Sequence, residues 1–100
     1  MKRILLVCNA GMSTSLLVKK MQNEANQQNL DVEIEAKSLT EAKKDLGNVD
    51  CILVGPQIRY ELNNVKELVG NIPVDAINMQ DYGMVNGKKV LATALKMMGE

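Results

Sequence analysis

The chain contains no histidine. That removes the commonest general base and the commonest metal ligand, so no Cys-His or Ser-His device can be built from these residues alone. A basic excess is also missing, because Lys+Arg and Asp+Glu stand at 12 each. A nucleic-acid or membrane-surface binder would carry such an excess, so no nucleic-acid partner is expected. No apolar run is long enough to span a bilayer. Met1-Lys2-Arg3 ahead of Ile4-Leu5-Leu6-Val7 has the opening of a signal peptide, but the apolar run stops at Val7 and Asn9 follows closely. It is too short for an h-region, and a lipoprotein cleavage site would want a small residue where Val7 stands. A soluble, cytoplasmic protein is the expectation. The only cysteines, Cys8 and Cys51, form no C-x-x-C pair. They read as reduced thiols rather than a disulfide framework. Nothing offers a metal site, and no cofactor is expected.

What is present is 100 residues, 46% of them apolar. That argues against disorder and for one domain over residues 1–100, with no room for a second. Ile4-Leu5-Leu6-Val7 has no polar interruption and reads as a strand buried on both faces. Ser13, Thr14 and Ser15 are all good N-caps, and Leu17, Met21 and Ala25 repeat on one face, so a helix runs to about Gln28 and stops at Asn29. Val32 to Ala36 alternates apolar and charged residues, as an edge strand does. Ser38 and Glu41 have capping-box spacing, and Leu39, Ala42 and Leu46 suggest a short helix that ends at Gly47-Asn48. Cys51 to Val54 is a second fully apolar strand, broken by Gly55-Pro56. A helix covers Tyr60 to Val69, with Leu62, Val65, Leu68 and Val69 inward and Gly70 as the stop. Pro73 to Ile77 reads as a fourth strand. A loop, Asn78 to Gly87, leads to a last helix that begins near Asn86 and buries Val90, Leu91, Ala94, Leu95 and Met98.

Four strand-helix alternations predict an α/β fold, a three-layer parallel sheet with helices on both faces. The order 2-1-3-4 places the two apolar strands centrally, as in flavodoxin-like folds. Ligands bind such sheets at the C-terminal strand ends. Cys8, Gly55-Pro56-Gln57 and Asp81-Tyr82-Gly83 all fall there.

The organising stretch is Cys8-Asn9-Ala10-Gly11-Met12-Ser13-Thr14-Ser15. A cysteine ends a strand, and a small, hydroxyl-rich loop leads into a helix. The free N–H groups and dipole of a helix N-terminus attract anions, and a thiolate is the reactive form of cysteine. The same donors suit the three equatorial oxygens of a transferring phosphoryl group. Gly11 allows close backbone approach, and Ser13, Thr14 and Ser15 add hydroxyls. Cys8 is therefore the candidate nucleophile, and Asn9, Ala10, Gly11, Met12, Ser13, Thr14 and Ser15 form the candidate phosphate-binding loop. The pattern resembles the phosphate loop of low-molecular-weight tyrosine phosphatases, Cys, five residues, Arg, Ser/Thr. Here Thr14 takes the place of that arginine, which clamps phosphate bidentately. A loop without it suits a relay better than fast hydrolysis.

The segment Cys8 to Leu17 is similar to the active-site segment of IIB proteins of the bacterial phosphoenolpyruvate-dependent sugar phosphotransferase system. The similarity is to the lactose/cellobiose branch, with wording closest to its cellobiose/diacetylchitobiose side. Leu53-Val54-Gly55-Pro56-Gln57-Ile58 and Asp81-Tyr82-Gly83 resemble later family segments. The resemblance implies that a phosphohistidine IIA protein donates phosphate to Cys8. A thiophosphate ester then forms, and the phosphoryl group passes to a sugar held by the membrane-embedded IIC component during uptake. It implies no metal on the IIB protein, and the donor histidine lies on the partner.

Cys51, inside an apolar run and far along its strand from the Cys8 end, reads as inert core. Gln57 and Tyr82 are candidates for the border of the site, against turn chemistry for Gln57 and packing for Tyr82. Asp81 as a phosphatase-like general acid is disfavoured by the missing arginine, and Arg59 reads as solvent-facing. A small phosphatase or arsenate-reductase-like enzyme is the alternative, though a reductase needs a resolving cysteine and Cys51 is badly placed. A receiver-like module would need an aspartate cluster where Cys8 and Asn9 stand.

Overall fold

The computed structural model describes residues 2–8, 12–44 and 46–99, with only the backbone of Met12 and Ser13. Four strands, β1 (Lys2–Cys8), β2 (Val32–Ser38), β3 (Cys51–Val54) and β4 (Val74–Ala76), form one sheet in the order β2-β1-β3-β4. Every neighbouring pair is parallel. Helices α1 (Met12–Gln27), α2 (Leu39–Ala42), α3 (Leu62–Val69), α4 (Met79–Gly83) and α5 (Gly87–Met97) connect and cover it.

The strand sequences decide where each lies. Central β1 from Ile4 onward and the whole of β3 are apolar and buried on both faces. Ile4, Leu6, Cys51 and Leu53 pack with Leu17, Met21 and Ala25 of α1 and with Val90, Leu91 and Ala94 of α5. Leu5, Val7, Ile52 and Val54 face the opposite layer, Ala42, Leu46, Val49, Ile58 and Val65. β2 is an edge strand, burying Val32 and Ile34 while Glu33 faces solvent. At the other edge, β4 turns its odd residues to β3: Ile52 N–H donates to the Pro73 carbonyl at 3.0 Å and Ile77 N–H to Val54 at 2.8 Å. The Ala76 N–H therefore points outward, where the Asp75 carboxylate accepts it at 2.8 Å.

Helix ends follow their caps. Asn29, at φ 57°, stops α1, and Leu30 N–H donates to the Ala25 carbonyl at 2.9 Å. Ser38 Oγ caps α2 by accepting the Glu41 N–H at 3.3 Å, and its hydroxyl donates to the Glu41 carboxylate at 3.1 Å. Asn86 Oδ1 caps α5 by accepting the Lys89 N–H at 3.2 Å. Gly87 is placed where a Cβ would lie 2.8 Å from Lys20 backbone, so only glycine lets α5 approach α1 this closely.

Several expectations need correction. The second helix stops at Ala42, and Leu46–Asn48 forms a separate 3-10 turn, so Leu46 reaches the core from another element. The third helix starts at Leu62 rather than Tyr60, because Pro56–Glu61 is a 3-10 segment kinked at Ile58. Leu68 is 55% exposed rather than inward. The apolar stripe of α3 centres on Val65 with Leu62 and Val69 beside it, at i−3 and i+4, and Leu68 falls on its flank. The stretch between Asn78 and Gly87 is not all loop. It holds α4, capped by Asn78 Oδ1, which accepts N–H groups of Gln80 and Asp81. Val85 then turns the chain with φ 51°, a strained conformation for a β-branched residue, while its side chain packs on the core.

The N-terminal end of the sheet is laced with polar bonds. Asp50 accepts the Arg3 N–H at 2.8 Å and returns its own N–H to the Arg3 carbonyl at 2.8 Å. The Arg3 guanidinium reaches Glu35 at 3.0 Å and the Asn48 carbonyl at 3.1 Å.

Candidate active site

Cys8 is the last residue of β1 and is 3% exposed. It lies in register with Ser38, the last residue of β2. Four residues beyond it α1 begins, so the cysteine sits below a helix N-terminus whose first N–H groups have no intrahelical acceptor. Asn9, Ala10 and Gly11 of the candidate loop, and the Met12 and Ser13 side chains, lie outside the described residues. The described flanks define two clefts beside the cysteine. One, of about 140 Å³, is lined by Cys8, Ser15, Ala36, Lys37, Ser38 and Glu41. The other, of about 310 Å³, is more apolar and is lined by Pro56, Gln57, Met79, Tyr82 and Gly83.

Gly55 joins the second cleft to the cysteine. Its N–H donates to the Val7 carbonyl at 2.7 Å. A Cβ placed on it would sit 3.5 Å from Cys8 Cβ and 3.2 Å from Gln57 Oε1. The β3 exit thus passes tightly by Cys8, and the Gln57 amide turns back toward the same point. Tyr82, on α4, reaches the first turn of α1, where its hydroxyl is 2.9 Å from Thr14 Oγ1. Thr14, at the position an arginine would hold in the phosphatase pattern, has no exposed surface. Ser15 is exposed. The fold brings Cys8, Ser15, Gln57 and Tyr82 to one end of the sheet.

Cys51 is placed elsewhere. It pairs in register with Ile4, four residues before Cys8. At about 3.3 Å per residue that separates the two by roughly 13 Å along the sheet, and a disulfide needs Cα atoms within about 7 Å. Cys51 is fully buried, 4.0 Å from the Met97 sulfur. Burial first, and then the charges of Asp50 and Asp75, push its thiol up to about 12. Arg59 is exposed and lines a third, polar cleft of about 600 Å³ with Asp75, Asn78, Gln80 and Thr93. The Asp81 backbone is engaged at the α4–α5 corner, its carbonyl accepting the Asn86 N–H at 2.9 Å.

Sequence reasoning missed Lys37, Ser38 and Glu41 as walls of the Cys8 cleft, reading Ser38 and Glu41 only as a cap. The available signal was that parallel strands end on one side, which sets the β2 terminus beside Cys8. Among the described residues, no three His, Cys, Asp or Glu side chains gather as a metal site, and no helix is long and apolar enough to cross a membrane.

A cysteine at the end of a central parallel strand, a helix opening above it and helices on both faces define an α/β domain of the flavodoxin-like, low-molecular-weight-phosphatase type. Residues 3–93 match the family model described as PTS system, Lactose/Cellobiose specific IIB subunit. The galactose-specific EIIB component of Lactococcus lactis subsp. cremoris is 45% identical over 97% of this chain and 96% of its own length. The oligo-beta-mannoside-specific EIIB component of Bacillus subtilis is 42% identical over 98% and 97%. The solution structure of a cellobiose-specific phosphotransferase IIB component from Borrelia burgdorferi superposes with TM-score 0.82 at 38% identity, covering 98% of this chain and 92% of that one. The chain belongs to the lactose/cellobiose-specific IIB family of the sugar phosphotransferase system. The general role of these components is phosphoryl transfer to sugar, working with IIA and IIC components in uptake.

Proposed function

We propose that Cys8 carries the phosphoryl group. Its thiolate attacks the phosphorus of a phosphohistidine on a IIA partner. The N–P bond breaks as the S–P bond forms, and the histidine is released neutral after taking up a proton. A sugar hydroxyl, presented by the membrane-embedded IIC component at the cytoplasmic face, then attacks the same phosphorus. The O–P bond forms, the S–P bond breaks, the thiolate is restored, and the hydroxyl proton leaves to solvent. The N–H groups of the loop from Asn9 to Ser15 hold the equatorial oxygens in both steps, with the α1 dipole behind them. The substrate is a β-linked disaccharide of the cellobiose or diacetylchitobiose type, a reading supported by relatives named for cellobiose and for oligo-beta-mannosides. Gln57 and Tyr82 border the site, and the carrier uses no metal or cofactor of its own.

The observation that carries this reading is the placement of Cys8 at the C-terminal end of a central strand, beneath the start of α1 and open to a cleft. Thr14 supports transit over hydrolysis. Where a phosphatase has a guanidinium, this chain has a buried hydroxyl bonded to Tyr82. A reductase reading lacks a resolving thiol within reach. Incubation with phosphorylated IIA, followed by mass spectrometry of the peptides, tests the proposal. Phosphate on Cys8, lost in Cys8→Ser and kept in Cys51→Ala, is expected. Transfer that survives in Cys8→Ser sinks it.

A further inference from the structure

The hydrogen bond between Thr14 and Tyr82 joins residues 68 positions apart and is buried on the Thr14 side. Thr14 is the third residue of α1, within the turn whose N–H groups face the end of β1. Tyr82 comes from a well-anchored element. Ile77 N–H ties the preceding segment to Val54, the Asn78 carbonyl accepts the Tyr82 N–H at 2.9 Å, and the Asn78 side chain caps α4. The Tyr82 side chain also packs on the core cluster that holds Leu17 and Val90. Six residues along α1, about 9 Å at 1.5 Å per residue, Gly87 sets α5 directly against the Lys20 backbone. The α4–α5 corner therefore grips α1 at two points, and only the Thr14 point lies in the first turn.

We infer that Tyr82 is a positioning residue for phosphoryl transfer, acting through Thr14 to fix the direction of the first turn of α1 relative to Cys8. The inference rests on Cys8 being the phosphoryl carrier. A threonine in a helix can otherwise turn its hydroxyl to its own backbone. The Tyr82 hydroxyl holds it outward from the helix axis, and with it the orientation of the N–H groups that meet the phosphoryl oxygens. Misplacement of such donors by a fraction of an ångström lowers the rate of transfer without weakening encounter with the donor protein.

Tyr82→Phe keeps the ring and its packing and removes only the hydroxyl. Thr14→Val removes the other half at equal volume. Rapid-quench phosphorylation by a phosphorylated IIA protein, over a range of donor concentrations, separates maximal rate from half-saturation. Each variant is expected to lower the maximal rate about tenfold with half-saturation unchanged, and the double variant to be no slower than the singles. Thr14→Ser, which restores a hydroxyl, recovers most of the loss seen in Thr14→Val. Wild-type rates in Tyr82→Phe, additive losses in the double variant, or a change confined to half-saturation each overturn the inference while leaving Cys8 as carrier. A wild-type protein that takes no phosphate on Cys8 overturns both.

Discussion

The two ends of the sheet hold one cysteine each and treat it differently. At the N-terminal end, Cys51 lies among apolar side chains, and Arg3, Asp50, Asn48 and Glu35 stitch three strand regions together beside it. At the C-terminal end, Cys8 is almost as well covered, yet it opens to a cleft and sits under a helix start. Burial alone therefore says little about the use of a thiol. The direction of the strands does more, because parallel strands followed by helices gather all the helix N-termini at one end. A cysteine there meets donors, and one at the other end meets carboxylates and hydrocarbon.

The contrast can be broken in four ways. Cys8→Ser is expected to lose phosphoryl acceptance entirely and to cost about 1–3 kcal/mol of stability for a hydroxyl placed at a site only 3% exposed, as read by mass spectrometry and calorimetry. Alkali should act on the opposite end. Below pH 9 the Cys51 thiol is protonated in folded and unfolded chains alike. Between 9.0 and about 12 the unfolded chain loses that proton and the folded chain keeps it, so stability falls as pH rises. The loss is about 2–3 kcal/mol by pH 11, and urea unfolding of Cys51→Ala across the same range should lack it. Gly87→Ala drives a methyl into the Lys20 backbone and is expected to cost about 1–3 kcal/mol, with transfer slowed because α1 is displaced. Arg3→Ala, which removes partly exposed bonds, should cost about 0.5–1 kcal/mol and leave the rate of transfer to Cys8 unaltered.

Which strands are central was legible, because two runs carry no polar residue, while Glu33 and Glu35 mark an edge. The order 2-1-3-4 came from the flavodoxin-like pattern, since composition does not say which central strand each edge joins. The long helices were legible from Leu17, Met21 and Ala25 and from Val90, Leu91 and Ala94. Elements of one turn were not. Helix α4 and the 3-10 segment after Pro56 are too short to show a period, and α4 exists through the Asn78 cap and its attachment to β4. For the site, Cys8 and its loop stood out as a local pattern. The Thr14–Tyr82 bond did not, since no local rule pairs residues so far apart, and neither did the Ser38 wall, which depends on strand register.

The bond from the Ala76 amide to the Asp75 carboxylate has a bearing on life at high protein concentration. β4 is an open edge, and an outward N–H there is an invitation to a strand from another molecule. Here the donor is already engaged by its own neighbour, and an approaching strand would also face a fixed negative charge. A IIB component, which works with IIA and IIC components, is thus guarded against adhering to copies of itself along that edge.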